Sequence, residues 1–233
     1  MRMVSEQMPV LQVQWLGRID YISAWEVQNR LAQHRREGRI PDTLLLLEHV
    51  PPVITLGRAS HREHLLVAPE HLQLLGIQLV ETDRGGDITY HGPGQLVGYP
   101  ILDLRAHGRD VHLYLRRLEE ALIGALLRFG VAAHRKEGLT GVWVGEEKIA
   151  AIGIKVSHWI TMHGFALNVC PELSHFELIV PCGIHDKGVT SLHRLLGRDV
   201  TPQGVIPAVT STFAQVFNLR PVEARAPASP APL

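Results

Sequence analysis

The stretch GVWVGEEKIAAIGIKVS, residues 141–157, decides the fold prediction because two apolar runs meet in it at a short polar turn. The turn at Gly145–Glu146–Glu147 predicts a hairpin of two antiparallel strands. A charged residue, Lys148, stands at the head of the second strand, although the rest of that run has the composition of a buried segment. The hairpin therefore predicts part of a β-sheet. It also raises the question of what Lys148 does at the head of a buried strand.

Other apolar runs of strand length lie on both sides of this hairpin. They are TLLLLEHV (43–50), VITLG (53–57), IQLVET (77–82), LVGYPILDL (96–104) and HGFALNV (163–169). Their length and composition, between turn-forming residues, predict strands of a common sheet.

Four segments show helical periodicity with start and stop signals. The predicted helices are one capped by Asp20 that runs to Arg36, one from Pro69 to the residue before Gly76, one between Asp110 and Gly130, and one from Thr201–Pro202 to Phe217. In the first helix, four residues are expected to face the core: Ile22, Trp25, Leu31 and Ala32. Because strands and helices do not alternate strictly, the predicted fold class is α+β (α/β), with a mixed, mainly antiparallel sheet flanked by helices.

The bulk composition is that of a globular protein with one sizeable core. The 233 residues are 45% hydrophobic and 20% charged, with a formal net charge of zero, so no global field favours nucleic acid or a membrane as partner. We expect one domain over residues 1–220 and a flexible Pro/Ala-rich tail over 221–233. The N-terminus does not read as a signal peptide, and two cysteines make no disulfide framework, so we expect a cytoplasmic protein.

Cys182 is the first candidate for chemistry. It lies between Pro181 and Gly183, where an apolar run gives way to polar residues, and Gly183 can free backbone N–H groups for an oxyanion. A lone cysteine is more often an inert small hydrophobe, which is how we interpret Cys170, expected in the core. A lysine such as Lys148 would favour the thiolate if it lay close to the thiol, but the spacing alone does not show that the two meet.

The segment RGGDITYHGPGQ, residues 84–95, is the second candidate. It combines four glycines with Arg84, Asp87, Thr89, Tyr90 and His91, which suits a pocket wall close to a ligand. It matches neither the dinucleotide-binding nor the P-loop pattern, and a plain turn between two strands is an equally good interpretation.

The fourteen histidines raise the question of a metal site. Pairs such as His61 and His64 are three residues apart, but no pair fits H-E-x-x-H or a known Cys/His zinc spacing. We therefore expect no metal.

Taken together, these motifs resemble the lipoyl(octanoyl) transferases, which are octanoyl-acyl-carrier-protein:protein N-octanoyltransferases related to biotin and lipoate protein ligases. The likeness is carried by RGGDITYHGPGQLVGYPILDL, TGVWVGEEKIAAIGIKVS, HGFALNV and IVPCGI, and it runs from about Leu44 to near Phe217. It implies the single-domain fold of the biotin/lipoate protein ligases. Any one of these motifs would be unspecific, whereas the set in this order is specific.

The resemblance also implies the site and the reaction. Cys182 would be the acyl-thioester nucleophile, and Lys148 would lower the pKa of its thiol and act as general acid and base. The residues implied to bind substrate are Arg84, Gly85, Gly86, Asp87, Ile88, Thr89, Tyr90, His91, Ala151, Ile152, Gly153, Gly164, Phe165 and Ala166. Lys155 receives no role.

The implied activity is transfer of an octanoyl group to a lysine of a lipoyl domain, an early step of protein lipoylation. The donor would be octanoyl-acyl carrier protein, with its phosphopantetheine, and the acceptors would be lipoyl domains of 2-oxoacid dehydrogenases and the glycine cleavage H protein. No ATP, metal, nucleic acid or membrane is expected. Both carriers are expected to be acidic, and two arginine clusters are candidate docking points: Arg35, Arg36 and Arg39, and Arg116 with Arg117.

Three alternatives remain open at this point. An ATP-dependent lipoate or biotin protein ligase would share the fold but would not need a nucleophilic cysteine. A binding module would only hold a small acid in the glycine-rich segment, and a histidine-rich metal protein would contain bound metal.

Overall fold

The structure is a computed structural model that describes residues 8–180 and 187–223. Within these ranges the chain forms a nine-stranded mixed sheet, a three-stranded sheet and five α-helices. The strands are β1 (Val10–Ile19), β2 (Asp42–His49), β3 (Val53–Leu56), β4 (Gln78–Glu81), β5 (Ile88–His91), β6 (Gln95–Ile101), β7 (His134–Lys136), β8 (Leu139–Val144), β9 (Glu147–Ser157), β10 (Ile160–Asn168), β11 (Gly188–Val189) and β12 (Arg220–Glu223). The helices are α1 (Tyr21–Arg36), α2 (Pro69–Leu74), α3 (Val111–Leu127), α4 (Leu192–Leu196) and α5 (Pro202–Phe217).

The main sheet has the strand order β12-β1-β2-β6-β10-β9-β8-β7, with β11 added beside β9. Most neighbours are antiparallel, while β1 pairs in parallel with both β2 and β12. Helices α3 and α5 pack on one face over the largest core cluster, and α1 packs against β6 and β10. The second sheet has the order β4-β3-β5 and packs its own smaller core. This arrangement confirms the predicted α+β class.

The predicted hairpin and helix boundaries are confirmed. Strands β8 and β9 pair antiparallel around Gly145, whose φ of 57° is one that glycine adopts without strain. Helix α1 begins after Asp20, whose carboxylate accepts a hydrogen bond from the Ser23 N–H at 2.9 Å. The Asp110 carboxylate caps α3 in the same way. Local sequence therefore determined where these elements begin.

Several expectations about burial and order were wrong. Ile22 is 45% exposed, because the buried stripe of α1 consists of Tyr21, Ala24 and Gln28 instead. Cys170, expected in the core, is exposed at the end of β10. Residues 221–223, assigned to the flexible tail, belong to β12, where their backbone pairs with β1; the other tail residues, 224–233, lie outside the described residues.

Gly164 lies on β10 beside its neighbouring strand β6, and its replacement by alanine is expected to destabilise the protein. A Cβ at this position would lie 2.2 Å from the Gly98 carbonyl oxygen and 2.6 Å from Pro100 Cδ, so backbone would have to move. We expect Gly164→Ala to lower the free energy of unfolding by about 3 kcal/mol, the upper end for overpacking a core. Denaturant unfolding measures this change.

Gly204→Ala in α5 is the matched control for this substitution. Its added Cβ would come no closer than 3.4 Å to the Thr201 Oγ1, and alanine favours a helix. We expect it to be neutral or stabilising by up to about 1 kcal/mol. Equal stability of the Gly164→Ala protein and the unmodified protein would show that β6 and β10 are not packed this closely.

Candidate active site

Two adjoining cavities lie where strands β9 and β10 meet the 84–91 segment. The narrow one has a volume of about 40 Å³, and the wider one has a volume of about 530 Å³. They share four lining residues: Gly86, Asp87, Ile152 and Gly153. The site is therefore one recess divided by the glycine-rich loop.

Strand pairing brings together the two implied acyl-site segments. In the register of β9 and β10, Ala151 lies opposite Ala166, Ile152 opposite Phe165, and Gly153 opposite Gly164. All six residues line the narrow cavity. Antiparallel pairing explains how segments that are distant along the chain form one wall.

The loop that begins at Arg84 lies directly on β9. The Gly85 N–H donates to the Ile154 carbonyl at 2.8 Å. A Cβ on Gly153 would lie only 3.0 Å from the Gly85 carbonyl oxygen and 3.2 Å from Arg84 Cδ. The glycine at position 153 thus allows the close approach that closes the recess.

Arg84 is buried beneath this loop, with 6% of its surface exposed. Its guanidinium donates to the Thr55 carbonyl at 2.8 Å, to the Thr55 hydroxyl at 2.9 Å and to the Gly85 carbonyl at 3.1 Å. These bonds hold a positive charge at the wall of the narrow cavity, where it favours a polar or anionic group.

Two of the implied substrate-binding residues, Ile88 and Tyr90, line neither cavity. They lie on β5 and alternate with Thr89 and His91, which do line the narrow cavity. Because side chains alternate between the faces of a strand, Ile88 and Tyr90 enter the smaller core instead. The Tyr90 hydroxyl there hydrogen-bonds His175 Nδ1 at 2.9 Å.

His91 belongs to a hydrogen-bond chain whose direction is fixed by a backbone carbonyl. The Thr190 carbonyl can only accept, so Asn168 presents its Nδ2 to it at 3.0 Å and its Oδ1 to Gln95 Nε2 at 2.9 Å. Gln95 Oε1 then accepts from His91 Nδ1 at 2.8 Å. Burial, followed by the neighbouring His49, holds the pKa of His91 well below its usual value. His91 is therefore neutral, with Nε2 as its acceptor nitrogen.

Three aromatic or imidazole groups beside these residues were not identified from the sequence. Tyr21 and Tyr99 line the narrow cavity, and the His49 ring contacts both of their rings in a tilted arrangement. The Tyr99 hydroxyl donates to His49 Nε2 at 2.7 Å, because His49 Nδ1 donates to the Ile19 carbonyl at 3.2 Å. No spacing signal links these residues, because they come from three separate elements.

This buried imidazole predicts a loss of stability in acid. Burial lowers the pKa of His49 from 6.5 to about 4. Between these values the unfolded chain binds a proton that the folded chain does not, so stability is full above pH 6.5 and falls as the pH drops towards 4. The loss amounts to about 3 kcal/mol at full titration, at about 1.4 kcal/mol for each unit of pKa.

Denaturant unfolding at a series of pH values measures this effect. In His49→Gln the dependence is expected to be shallower, with a remainder from His91, whose pKa is also lowered. An unchanged slope between pH 6.5 and 4 in His49→Gln would show that His49 does not contribute.

Lys155, to which the sequence assigned no role, anchors the residue that precedes Arg84. Its ammonium pairs with the Asp83 carboxylate, which also accepts from His163 Nε2 at 2.8 Å. The Lys155 hydrogen bond and the His163 hydrogen bond hold the pKa of Asp83 below its usual value against the opposing effect of burial. Both partners lie on the β9–β10 hairpin, so this cluster fastens the glycine-rich loop to the sheet.

Lys148 lines the wider cavity and is 6% exposed. It lies opposite Trp143 in the β8–β9 pair, with Nζ 4.9 Å from the centroid of the indole ring, a distance typical of a cation–π contact. A Cβ on Gly141 would lie 2.7 Å from the Ala150 carbonyl oxygen, so this glycine allows β8 and β9 to approach closely beside Lys148. The structure therefore places Lys148 in the same recess as the 84–87 loop.

Cys182 lies outside the described residues, and the described residues before and after it do not line the wider cavity but bond to residues that do. The Val180 N–H donates to the carbonyl of His64, a residue that lines this cavity, at 2.8 Å. The next described residues begin at Lys187, and Gly188 and Val189 pair with Glu147 and Lys148. Cys170 lines neither cavity, and burial raises the pKa of its thiol.

Most of the arginines suggested as docking points have partners within the protein. Arg35 pairs with Asp42 at 2.7 Å, and Arg116 pairs with Glu119 at 2.8 Å. Arg117 donates to the His107 carbonyl and lies 5.9 Å from the Phe217 ring centroid. These three arginines therefore already have contacts within the protein, which a docking partner would have to share or replace.

No helix in residues 8–180 and 187–223 is long and apolar enough to cross a membrane.

Comparison with known proteins agrees with the motifs. Residues 20–214 match the model of the lipoyl protein ligase A/B catalytic domain. An octanoyltransferase of Chloroflexus aggregans is 53% identical over 220 residues, covering 93% of this chain and 99% of its own length. An octanoyltransferase of Solibacter usitatus is 56% identical over 203 residues, covering 87% and 91%.

The fold agrees as well. A bipartite lipoate protein ligase of Thermoplasma acidophilum, studied with its E2 lipoyl domain, superposes with a TM-score of 0.70 at 20% identity, covering 94% of this chain and 88% of its own. The implied ligase-like architecture and the resemblance are thus both confirmed. The chain belongs to the lipoyl protein ligase A/B catalytic-domain family, and the two relatives that match it at 53% and 56% identity are octanoyltransferases.

Proposed function

We propose that this acyltransferase moves an octanoyl group from octanoyl-acyl carrier protein to a lysine of a lipoyl domain, through a thioester on Cys182. The observation that carries the proposal is the position of Lys148, a buried cation in the recess that the family motifs line. Both ends of the described chain around residues 181–186 are anchored beside that recess. Relatives named octanoyltransferase at about half identity support the activity.

The first half of the reaction forms the enzyme thioester. The Cys182 thiolate attacks the carbonyl carbon of the octanoyl thioester, and the bond from that carbon to the phosphopantetheine sulfur breaks. The departing thiolate takes a proton from the Lys148 ammonium. One thioester replaces another, so no ATP is required, and no metal enters the scheme.

The second half transfers the acyl group to nitrogen. Because Lys148 has given its proton to the departing phosphopantetheine thiolate, it begins the second half as a neutral amine that can accept a proton. The acceptor amine attacks the thioester carbonyl, its proton passes to Lys148, and the Cys182 thiolate leaves. The products are an octanoyl amide and the starting thiolate–ammonium pair, so the enzyme is regenerated.

The lining of the narrow cavity suits the acyl chain. Ala151, Ile152, Phe165 and Ala166 present apolar surface there. Each buried methylene contributes about 0.8 kcal/mol, so the length of this apolar wall can select chain length once the narrow cavity, about 40 Å³ in this structure, widens to admit the chain. The acceptors would be lipoyl domains of 2-oxoacid dehydrogenases and the glycine cleavage H protein. Because the scheme needs a reduced thiol, the proposal places the enzyme in the cytoplasm.

Intact mass spectrometry tests the proposal directly. The protein is incubated with octanoyl-acyl carrier protein, without ATP and with a chelator present, and then with an apo lipoyl domain. We expect one added octanoyl group that maps to Cys182 and then appears on the lipoyl domain. An octanoyl group that never appears on the protein, although the lipoyl domain is modified, would refute the thioester route.

The second candidate is an ATP-dependent lipoate ligase, favoured by the superposition on the Thermoplasma enzyme. At 20% identity that likeness concerns the fold alone. Activity that requires free octanoate or lipoate together with ATP, and none with the carrier-bound thioester, would establish this alternative.

A further inference from the structure

A carboxylate–imidazole pair lines the wider cavity and has no role in the scheme above. Asp87 Oδ2 lies 2.5 Å from His64 Nδ1, and Asp87 Oδ1 accepts from the His61 N–H at 3.2 Å. An ionised carboxylate only accepts, so Nδ1 of His64 carries a hydrogen. The ring nitrogen that can gain or lose a proton is therefore Nε2.

This pair and Lys148 belong to the same recess. His64 and Asp87 come from the segments around the second sheet, whereas Lys148 comes from β9, and all three line the wider cavity. The two side chains of the pair are 15% and 11% exposed, so they are partly shielded from water. The hydrogen bond from Val180 to the His64 carbonyl, 2.8 Å long, fixes the backbone at this point. The cavity thus holds an oriented imidazole as well as a lysine.

The proton balance of the transfer half requires two acceptors. A lysine side chain has a pKa of about 10.4, so near neutral pH the acceptor arrives as an ammonium ion with three protons on nitrogen. The amide product keeps one of them. If the Cys182 thiolate is regenerated as an ion, two protons must leave, and Lys148 can accept only one.

We propose that His64, oriented by Asp87, accepts the first of these protons and so converts the acceptor lysine from ammonium to amine. His64 Nε2 takes that proton, the free amine attacks the thioester, and Lys148 takes the second proton. Asp87 acts as a positioning residue for His64. The inference rests on the proposed octanoyl transfer, and it adds a residue that only the transfer half requires.

Single-turnover kinetics of His64→Gln test this role. Glutamine can still donate to Asp87 but does not accept a proton at neutral pH. Acylation by octanoyl-acyl carrier protein is expected to be unchanged, while transfer to an apo lipoyl domain at pH 7 falls by about 10²-fold, the lower range for general base catalysis. In the variant, only the fraction of acceptor lysine that is already neutral reacts. A plot of the logarithm of the transfer rate against pH should therefore rise with a slope of one below about pH 10.4, more steeply than for the unmodified protein.

A second acceptor separates proton removal from structural damage. Hydroxylamine is a neutral amine at neutral pH, so His64→Gln and the unmodified protein should deacylate with it at similar rates. The positioning variant Asp87→Asn should show a smaller transfer defect with the same pH trend. His71→Ala, which removes an exposed imidazole that lines neither cavity, should behave like the unmodified protein.

The outcomes distinguish the two proposals. Failure of the unmodified protein to form an octanoyl adduct would overturn the proposed function. An adduct that forms and is transferred equally fast by His64→Gln at pH 7 would overturn the role of His64 alone. An equal loss with hydroxylamine and with the lipoyl domain would also overturn it, because the defect would then be independent of proton removal.

Discussion

Replacing Cys182 by alanine is expected to abolish the octanoyl adduct and to lower octanoyl transfer by about 10⁴-fold or more, as is usual when a covalent nucleophile is removed. Alanine differs from cysteine only by the loss of the sulfur, so it cannot attack the donor thioester. Direct attack by the acceptor lysine would be the only remaining route. Intact mass after incubation with octanoyl-acyl carrier protein, together with the rate of lipoyl-domain octanoylation, measures both effects.

Cys170→Ala is the matched control for this variant, since these are the two cysteines of the chain. Cys170 is exposed, lines neither cavity, and has a thiol pKa raised by burial of part of the side chain. We expect Cys170→Ala to keep both the adduct and the transfer rate. An octanoyl group found on Cys170, or an adduct that survives in Cys182→Ala, would contradict the assignment of the nucleophile.

Replacing Lys148 by arginine is expected to separate the two halves of the reaction. Arginine keeps the positive charge that stabilises both the Cys182 thiolate and the departing thiolate, so acylation loses only the proton transfer. Because arginine does not give up its proton in proteins, it cannot act as the base that the transfer half requires. We expect acylation to survive within about tenfold and transfer to the lipoyl domain to fall by about 10²–10⁴-fold, the range for general acid–base catalysis. Lys148→Met, which also removes the charge, should impair acylation as well.

The matched control is Lys136→Arg, because Lys136 lies over the same indole ring. Its Nζ is 5.4 Å from the Trp143 centroid, compared with 4.9 Å for Lys148, yet Lys136 lines neither cavity. Both half-reactions should be unaffected in this variant. If Lys148→Arg lost acylation and transfer to the same extent in single-turnover assays, the change of Lys148 from acid to base would be wrong.

Much of the fold could be predicted from local sequence because its signals are local. The caps Asp20 and Asp110, and the turn glycine Gly145, mark ends of elements through hydrogen bonds or backbone conformations within a few residues. Strands β1, β5, β7, β11 and β12 were missed, because four of them are two to four residues long and β1 is interrupted by Gly17. What stabilises them is pairing with distant strands, which local composition does not reveal.

The candidate site could be predicted from motifs only in part. The motif segments do meet, since the register of β9 and β10 brings 151–153 opposite 164–166. Motif membership, however, does not give side-chain direction, so Ile88 and Tyr90 were assigned to the site although strand alternation turns them into a core. His49 and His64 lie outside the quoted motifs, and Tyr99 lies within one but was not assigned to the site; the three-dimensional packing brings all three to the recess.

The contact between Gly98 and Phe165 links two positions that cannot change independently. Gly98 lies directly opposite Phe165 in the β6–β10 register, and a Cβ on Gly98 would come within 2.1 Å of the ring. A larger residue at position 98 is therefore compatible only with a smaller residue at position 165. A smaller residue at 165 with glycine kept at 98 would enlarge the narrow cavity, which Phe165 lines. We expect natural homologues to show correlated substitution at this pair. A library designed to find variants that accept longer or branched acyl donors should therefore vary positions 98 and 165 together.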